Sequence, residues 1–338
     1  MVRILLAGDH FITTEVLTDA IARHVPDADL VALLSGFPEE PFRSVGGVDE
    51  VTGDEDALIA ALQGCTAAIT HTHPFTRRVF ESAPDLQVLT VCRGGPVNAD
   101  LAAATDHGVT VTYVPGRNAI ATAEHTVALI LAAARQVAQR HAEVVGGTWG
   151  SDYYRYDKAG SELAGSTLGL VGFGAVGSRV ARTCDALGMR VLVFDPYLTG
   201  DLPAPYERAE VLDDLLAASA VVTLHARLTP ETRGLIGRRE LALMPQGSIL
   251  VNCARGGLLD YDALCDALDS GHLFAAACDV FPLEPLPAGH RILSTPRLTV
   301  SPHVAGASRQ CAHFAADVGA ADIARSLRGD EPLHVANR

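Results

Sequence analysis

Short apolar runs alternate with segments of helical spacing in this chain, and the alternation happens twice. In the first series VRILLAG is followed by TEVLTDAIARHV, DLVALLS by DALIAALQG, AAITHTH and LQVLTVCRGG by ADLAAATDHG, and VTVTYVP comes last. A second series begins at LGLVGFG and runs through MRVLVFDP, AVVTLHA, GSILVNCA and LFAAACDVF to LTVSPHVAG. Strands alternating with helices specify βαβ units around a parallel sheet. The restart predicts a second domain, and 338 residues are enough for two cores. Between the series, PGRNAIATAEHTVALILAAARQVAQRHAEVVGG predicts one long helix over 118–145, closed by glycines. TWGSDYYRYDKAGSEL follows without periodicity and concentrates Trp149, Tyr153, Tyr154 and Tyr156, as expected of an irregular loop packed on a neighbouring element or a second subunit. A last helical segment over 308–327 fits two placements, as a cap on the second domain or as a return to the first.

Charge and composition narrow the function. A net charge of −14 and a pI near 5.3 argue against nucleic acid or an anionic membrane as partner, since both reward clustered Lys and Arg. No run is long and apolar enough to span a bilayer. MVRILLAGDHF passes from a short apolar run straight into polar residues, which suits a buried first strand and lacks a signal-peptide cleavage pattern. Seven scattered cysteines with no C-x-x-C pair predict reduced thiols in a cytoplasm and no metal site.

The sharpest motif is GLVGFGAVGSRVA. Gly172, Gly174 and Gly177 stand in G-x-G-x-x-G spacing after an apolar run and open a helical segment. Such glycines allow a tight turn, close approach of backbone to a pyrophosphate, and close packing of helix on strand, with the helix N-terminus facing the phosphates. The next strand, MRVLVFD, ends in Asp195, placed to accept from the adenosine ribose hydroxyls and to repel a 2′-phosphate, which predicts NAD over NADP. The plainer alternative is a strand-to-helix turn with Asp195 capping a strand.

Three further strand ends carry chemistry. VNCARGG places Arg255 in a glycine-softened turn, where a guanidinium grips a carboxylate or makes a surface ion pair. CDVFPLEP offers Asp279 and Glu284, and SPHVAG offers His303. A carboxylate beside that imidazole raises its pKa and fixes its tautomer. With an Arg and a nucleotide site, the pair forms a consistent set for hydride transfer.

GLVGFGAVG with FDP, LTPETRGLIG, MPQGSILVNCARGGLLD, CDVFPLEP and SPHVAG together resemble the D-isomer-specific 2-hydroxyacid dehydrogenase family, and PGRNAIATAEHTVALILAAAR resembles the helix leading into its cofactor domain. The resemblance implies two Rossmann-like or flavodoxin-like α/β domains with parallel sheets. The cofactor domain, 116–304, would be inserted into a discontinuous substrate domain of 1–115 and 305–338, with the active site in the cleft. It also implies residue roles. Arg255 would hold the substrate carboxylate, His303 would be the acid and base, and Glu284 would keep it protonated. Gly172, Gly174, Ala175, Val176, Gly177 and Asp195 would bind NAD, joined by Cys253, Ala254 and Asp279, the last at the nicotinamide carboxamide, and by His225, which would either lie near the cofactor or serve in packing.

The substrate expected is a small polar 2-hydroxy or 2-oxo acid, with a homodimer as the assembly. Gly94 and Gly95 would offer backbone donors to its carboxylate, while Arg93, His71 and His73 would either meet a polar tail or serve as an ion-pair residue and a solvated loop. D-3-phosphoglycerate dehydrogenase is the alternative in the same chemistry. VCRGGPVNADL is shorter than the glycine-rich form common among those enzymes, and THPFT stands where they often carry a basic stretch. The short tail after 327 leaves no room for a regulatory domain of the serine-sensing kind. An NAD(H)-sensing interaction protein of the corepressor type is the alternative of another class.

Overall fold

The computed structural model describes residues 2–338, which form two compact units, one of residues 2–118 with 307–338 and the other of Ala119–Gly306. The first unit opens with β1 (Arg3–Gly8), α1 (Thr14–His24) and β2 (Asp29–Leu34), then an antiparallel ribbon of β3 (Arg43–Val45) and β4 (Val48–Val51). It continues through α2 (Glu55–Ala61), β5 (Ala67–Thr70), α3 (Arg77–Glu81), β6 (Val88–Val91), α4 (Leu101–Asp106) and β7 (Thr110–Tyr113). Its main sheet is parallel throughout, in the order β2-β1-β5-β6-β7. Every residue of β5 and β6 is buried, which is why these strands read as continuous runs rather than as alternation. Thr13, Asp54, Thr76 and Asp100 each cap a following helix by accepting a backbone N–H. The ribbon carries no apolar alternation and was not legible in the sequence.

The second unit begins with α5 (Ala119–Arg135) and α6 (Val137–Val145). There follow β8 (Thr167–Val171), α7 (Gly177–Ala186), β9 (Arg190–Phe194), β10 (Glu207–Arg208), α8 (Leu212–Ala218) and β11 (Val221–Leu224). α9 (Arg238–Leu243), β12 (Ser248–Asn252), α10 (Tyr261–Asp269), β13 (Leu273–Cys278) and β14 (Leu298–Val300) complete it. Seven parallel strands run β10-β9-β8-β11-β12-β13-β14, with the order reversing between β8 and β11. One face is covered by a core that includes Leu216, Leu241, Leu264 and Leu268, the other by one that includes Ile130, Ala133, Val180 and Ala181. The single long helix expected over 118–145 is corrected to two. Gln136 takes the left-handed conformation at φ 52°, and the break separates α5, half of it buried, from α6, which buries no residue.

The last helix, α11 (Arg309–Leu327), belongs to the first unit. Ser308 caps it, and Ala312, Ala315, Ala316, Ala320 and Ile323 join a core with Ile4, Leu6, Leu17, Ile21, Ile69 and Val88. Gly319 lets the helix lie close on the sheet, because a Cβ there would meet Thr90 Cγ2 at 2.7 Å. Of the two placements open to this segment, the structure takes the return. Among the described residues no helix is long and apolar enough to cross a membrane.

Candidate active site

In an open parallel sheet, ligands gather beyond the carboxyl ends of the strands where the order reverses. In the second unit that place is the turn after β8. Gly172 has φ 97°, and a Cβ on it would lie 2.8 Å from Ala226 N. At Gly177 a Cβ would run into the carbonyl oxygen of Gly172, so these two glycines fix the turn itself. Gly174 differs, since a Cβ there would meet nothing within 4 Å. It faces open space at the approach to α7, whose N-cap residue, Val176, offers no side chain to cap the backbone N–H groups. Open room plus uncapped donors fit a dinucleotide pyrophosphate. His225 leaves β11 beside this turn, with Nε2 3.0 Å from Thr223 Oγ1, and burial pushes its pKa down to about 4.

Asp195 follows β9 directly and reaches back to the same turn. Its Oδ2 accepts the Phe173 N–H at 2.8 Å and its Oδ1 the Tyr197 N–H at 2.9 Å. The carboxylate lines a recess with Leu198, Arg208 and Glu210. Arg208 and Glu210 went unnoticed in the sequence because β10 is only two residues long and carries no apolar pattern.

The other strand ends bring Glu284 and His303 together. Glu284 Oε2 lies 2.6 Å from His303 Nδ1, while its Oε1 accepts the Phe281 N–H at 2.7 Å. The bond to Glu284 raises the His303 pKa against the opposing effect of burial. Burial works to raise Glu284, but the bonds from His303 and Phe281 outweigh it and hold it low. With Nδ1 committed to Glu284, Nε2 is the nitrogen left to exchange a proton. His303 itself sits at φ 54°, a left-handed conformation that a residue other than Gly adopts only when its surroundings enforce it. Arg255 is exposed, donates from Nη1 to Ala254 O at 2.7 Å, and pairs with no carboxylate among the described residues. Its turn is clamped by buried Asn252, whose Nδ2 donates to Arg255 O and whose Oδ1 accepts from Ala254 N. Cys253 is buried at the end of this strand.

Asp279 is fully buried. Its carboxylate accepts from Ser301 Oγ (2.6 Å), Val304 N (3.0 Å) and Ala305 N (2.8 Å), so its observed bonds serve the His303 loop, whereas the resemblance implied a cofactor contact.

The candidates in the first unit lie apart from the solvated arrangement the sequence left open. His71 and His73 are buried at 3% and 1% exposure, which corrects the reading of a solvated loop. His71 Nδ1 bonds Asp9 Oδ2 at 2.6 Å, and Arg117 Nη2 approaches its Nε2 at 3.4 Å. Burial lowers the His71 pKa against the opposing bond to Asp9, and pushes His73 down to about 4. Arg93 forms an ion pair with Glu50, and its guanidinium lies over the Phe42 ring. At Gly94 and Gly95 a Cβ would meet nothing within 4 Å. Asp9 and Arg117 were missed because their partners are distant in sequence. Among the described residues no group of His, Cys, Asp and Glu could hold a metal, and all seven cysteines are buried and unpaired.

A seven-stranded sheet with a glycine turn at its reversal defines a dinucleotide-binding α/β protein. The profile of the D-isomer specific 2-hydroxyacid dehydrogenase NAD-binding domain matches residues 127–305, within the second unit. The chain is 36% identical over 298 residues to the D-3-phosphoglycerate dehydrogenase of Methanocaldococcus jannaschii, covering 87% of this chain and 56% of that one. It is 33% identical over 320 residues to the glyoxylate reductase of Korarchaeum cryptofilum, covering 94% and 95%. Among solved structures, the NAD-dependent formate dehydrogenase of Staphylococcus aureus in complex with NAD superimposes with a TM-score of 0.76 at 26% identity over 98% of each chain. The chain spans about half the length of the phosphoglycerate dehydrogenases it matches first. It belongs to the D-isomer specific 2-hydroxyacid dehydrogenase family.

Proposed function

We propose that the chain is an NAD-dependent D-2-hydroxyacid dehydrogenase that interconverts a small polar 2-hydroxy acid and its 2-oxo acid. The observation carrying this reading is the set of Arg255, Glu284 and His303 beyond successive strands of the sheet whose reversal holds the dinucleotide turn. Bound NADH supplies the hydride for the oxo carbon. In reduction His303 gives its Nε2 proton to the carbonyl oxygen, and Glu284, bonded to Nδ1, keeps the imidazole protonated until then. In oxidation the neutral imidazole takes that proton back. Arg255 offers a planar pair of N–H groups to the substrate carboxylate and polarises the carbonyl. Gly172, Gly174, Ala175, Val176 and Gly177 take the pyrophosphate and Asp195 the adenosine ribose, with His225, Cys253, Ala254 and Asp279 toward the nicotinamide. Gly94 and Gly95 donate backbone N–H groups to substrate, while Arg93, His71 and His73 support that loop from within.

A second reading, D-3-phosphoglycerate dehydrogenase, is favoured by the 36% identity to an enzyme of that name. It lacks support from HTHPFT, where His71 and His73, both buried and both with a pKa lowered by burial, stand at the place of cations for a phosphate. The deciding experiment follows NADH absorbance with glyoxylate, hydroxypyruvate, phosphohydroxypyruvate and sugar-acid-derived 2-oxo acids. Turnover of the unphosphorylated acids is expected, preference for phosphohydroxypyruvate would select the second reading, and consumption of none would favour NAD(H) sensing. A homodimer is supported by apolar side chains left exposed on and after α5 and α6, among them Ile120, Val137, Val145, Trp149, Tyr154 and Tyr156. A monomer by light scattering would remove it. A cytoplasmic location rests on the seven unpaired thiols.

A further inference from the structure

The His303 loop is tied to a residue far away in sequence. His125, on the second turn of α5, places Nε2 3.0 Å from Ser301 Oγ. Ser301 Oγ lies only 2.6 Å from Asp279 Oδ1, a distance at which the hydroxyl donates to the carboxylate. Its oxygen is then free to accept, so His125 supplies the proton from Nε2. The same carboxylate accepts from Val304 N and Ala305 N, the two residues after His303, and the Asp279 carbonyl accepts from His303 N at 2.7 Å. Together these bonds hold the backbone on both sides of a residue at φ 54°.

We propose that His125 is a positioning residue for His303, acting through Ser301 and Asp279 to fix the loop that carries the imidazole onto Glu284. His125 Nε2–H donates to Ser301 Oγ and Ser301 O–H to Asp279 Oδ1, while the Val304 and Ala305 N–H groups of the loop donate to the same carboxylate. Removing the first donor lets Ser301 turn away from Asp279. The loop then relaxes from its disfavoured conformation, and the 2.6 Å bond between Glu284 and His303 loses its geometry. The charged groups acting on His303 are Glu284, Asp279 and Arg255. Only the Glu284 bond depends on the loop's exact placement, so the imidazolium becomes easier to deprotonate.

The proposal rests on the acid–base reading above for its kinetic arm only. The direct arm labels histidine ring carbons in the substrate-free, full-length chain and follows their NMR titration. His125→Phe, which keeps a ring but no donor, is expected to lower the His303 titration midpoint. Ser301→Ala should do the same, the double variant should add nothing further, and His125→Gln, which keeps an N–H donor at matching reach, should restore the parent curve. With the best substrate of the oxo-acid panel, His125→Phe should lower kcat by about tenfold to a hundredfold, the scale of a small misplacement of a reacting group. The alkaline limb of reduction should move to lower pH while NADH affinity by fluorescence is unchanged. An unmoved His303 titration in His125→Phe, or a His125→Gln variant that behaves like His125→Phe, overturns the proposal. If His125→Phe fails to fold, Ser301→Ala and His125→Gln carry the same comparison. An absence of turnover in the parent would strike the dehydrogenase reading and leave the titration result standing.

Discussion

Glu284 and His303 meet in a half-exposed setting, at 34% and 49% side-chain exposure, so their bond matters more for protonation than for stability. Because Glu284 raises the His303 pKa, Glu284→Gln should lower it. Reduction needs the imidazolium and is lost as pH rises through that pKa, so its alkaline limb should move to lower pH. Oxidation needs the neutral ring, and its acid limb should move the same way. Profiles identical to the parent would leave Glu284 structural only. Arg255 and His303 should separate binding from chemistry. Arg255→Ala should raise KM strongly and lower kcat too, with incomplete rescue by Lys, which keeps the charge without the planar grip. His303→Ala should act mainly on kcat, by about 10²–10⁴-fold, the usual worth of a positioned acid, with NADH binding retained. At the other end of the cofactor site, Asp195→Ala should relax the preference for NAD over NADP in paired kcat/KM measurements. An unchanged ratio would pass that task to another residue of the recess, Glu210 foremost.

At the scale of elements, the turn between β8 and α7 makes a contrast that two glycines can test. Gly177→Ala drives a methyl into the Gly172 carbonyl and should cost on the order of 1–3 kcal/mol, as overpacking does, seen as a lowered Tm. Gly174→Ala meets no atom and should leave Tm alone, yet weaken NADH binding because the methyl occupies the approach. Equal effects of both on Tm would refute the distinction. This turn was legible because everything it needs is local: an apolar strand, spaced glycines and a helix. Apart from β10, the strands of the two parallel sheets were legible for a similar reason, since such strands are written as short apolar runs. What could not be read depends on partners far along the chain. Nothing near Gln136 announces a left-handed break, and nothing near His71 announces Asp9, which lies 62 positions earlier. Ser301 is plain in the sequence, but its partner His125 sits 176 residues away within a helix that reads as alanine-rich filler. Arg255, Glu284 and His303 fell between these cases: each strand end was visible, and the bond between the last two was only an inference until the loops were placed.

For the molecule as a whole, the return of α11 to the first unit sets an order of completion as the chain is made. Every residue of the second unit emerges from the ribosome before α11 does, so Ala119–Gly306 can close its two cores while the first sheet still lacks a cover. Until then Ile4, Leu6, Ile69 and Val88 present an uncapped apolar face, with α1 as a partial shield. Nascent chains stalled before residue 307 should therefore be protease-sensitive and chaperone-bound in their first hundred residues while already resistant in the second unit. Emergence of α11 should be the step that protects the first unit as well.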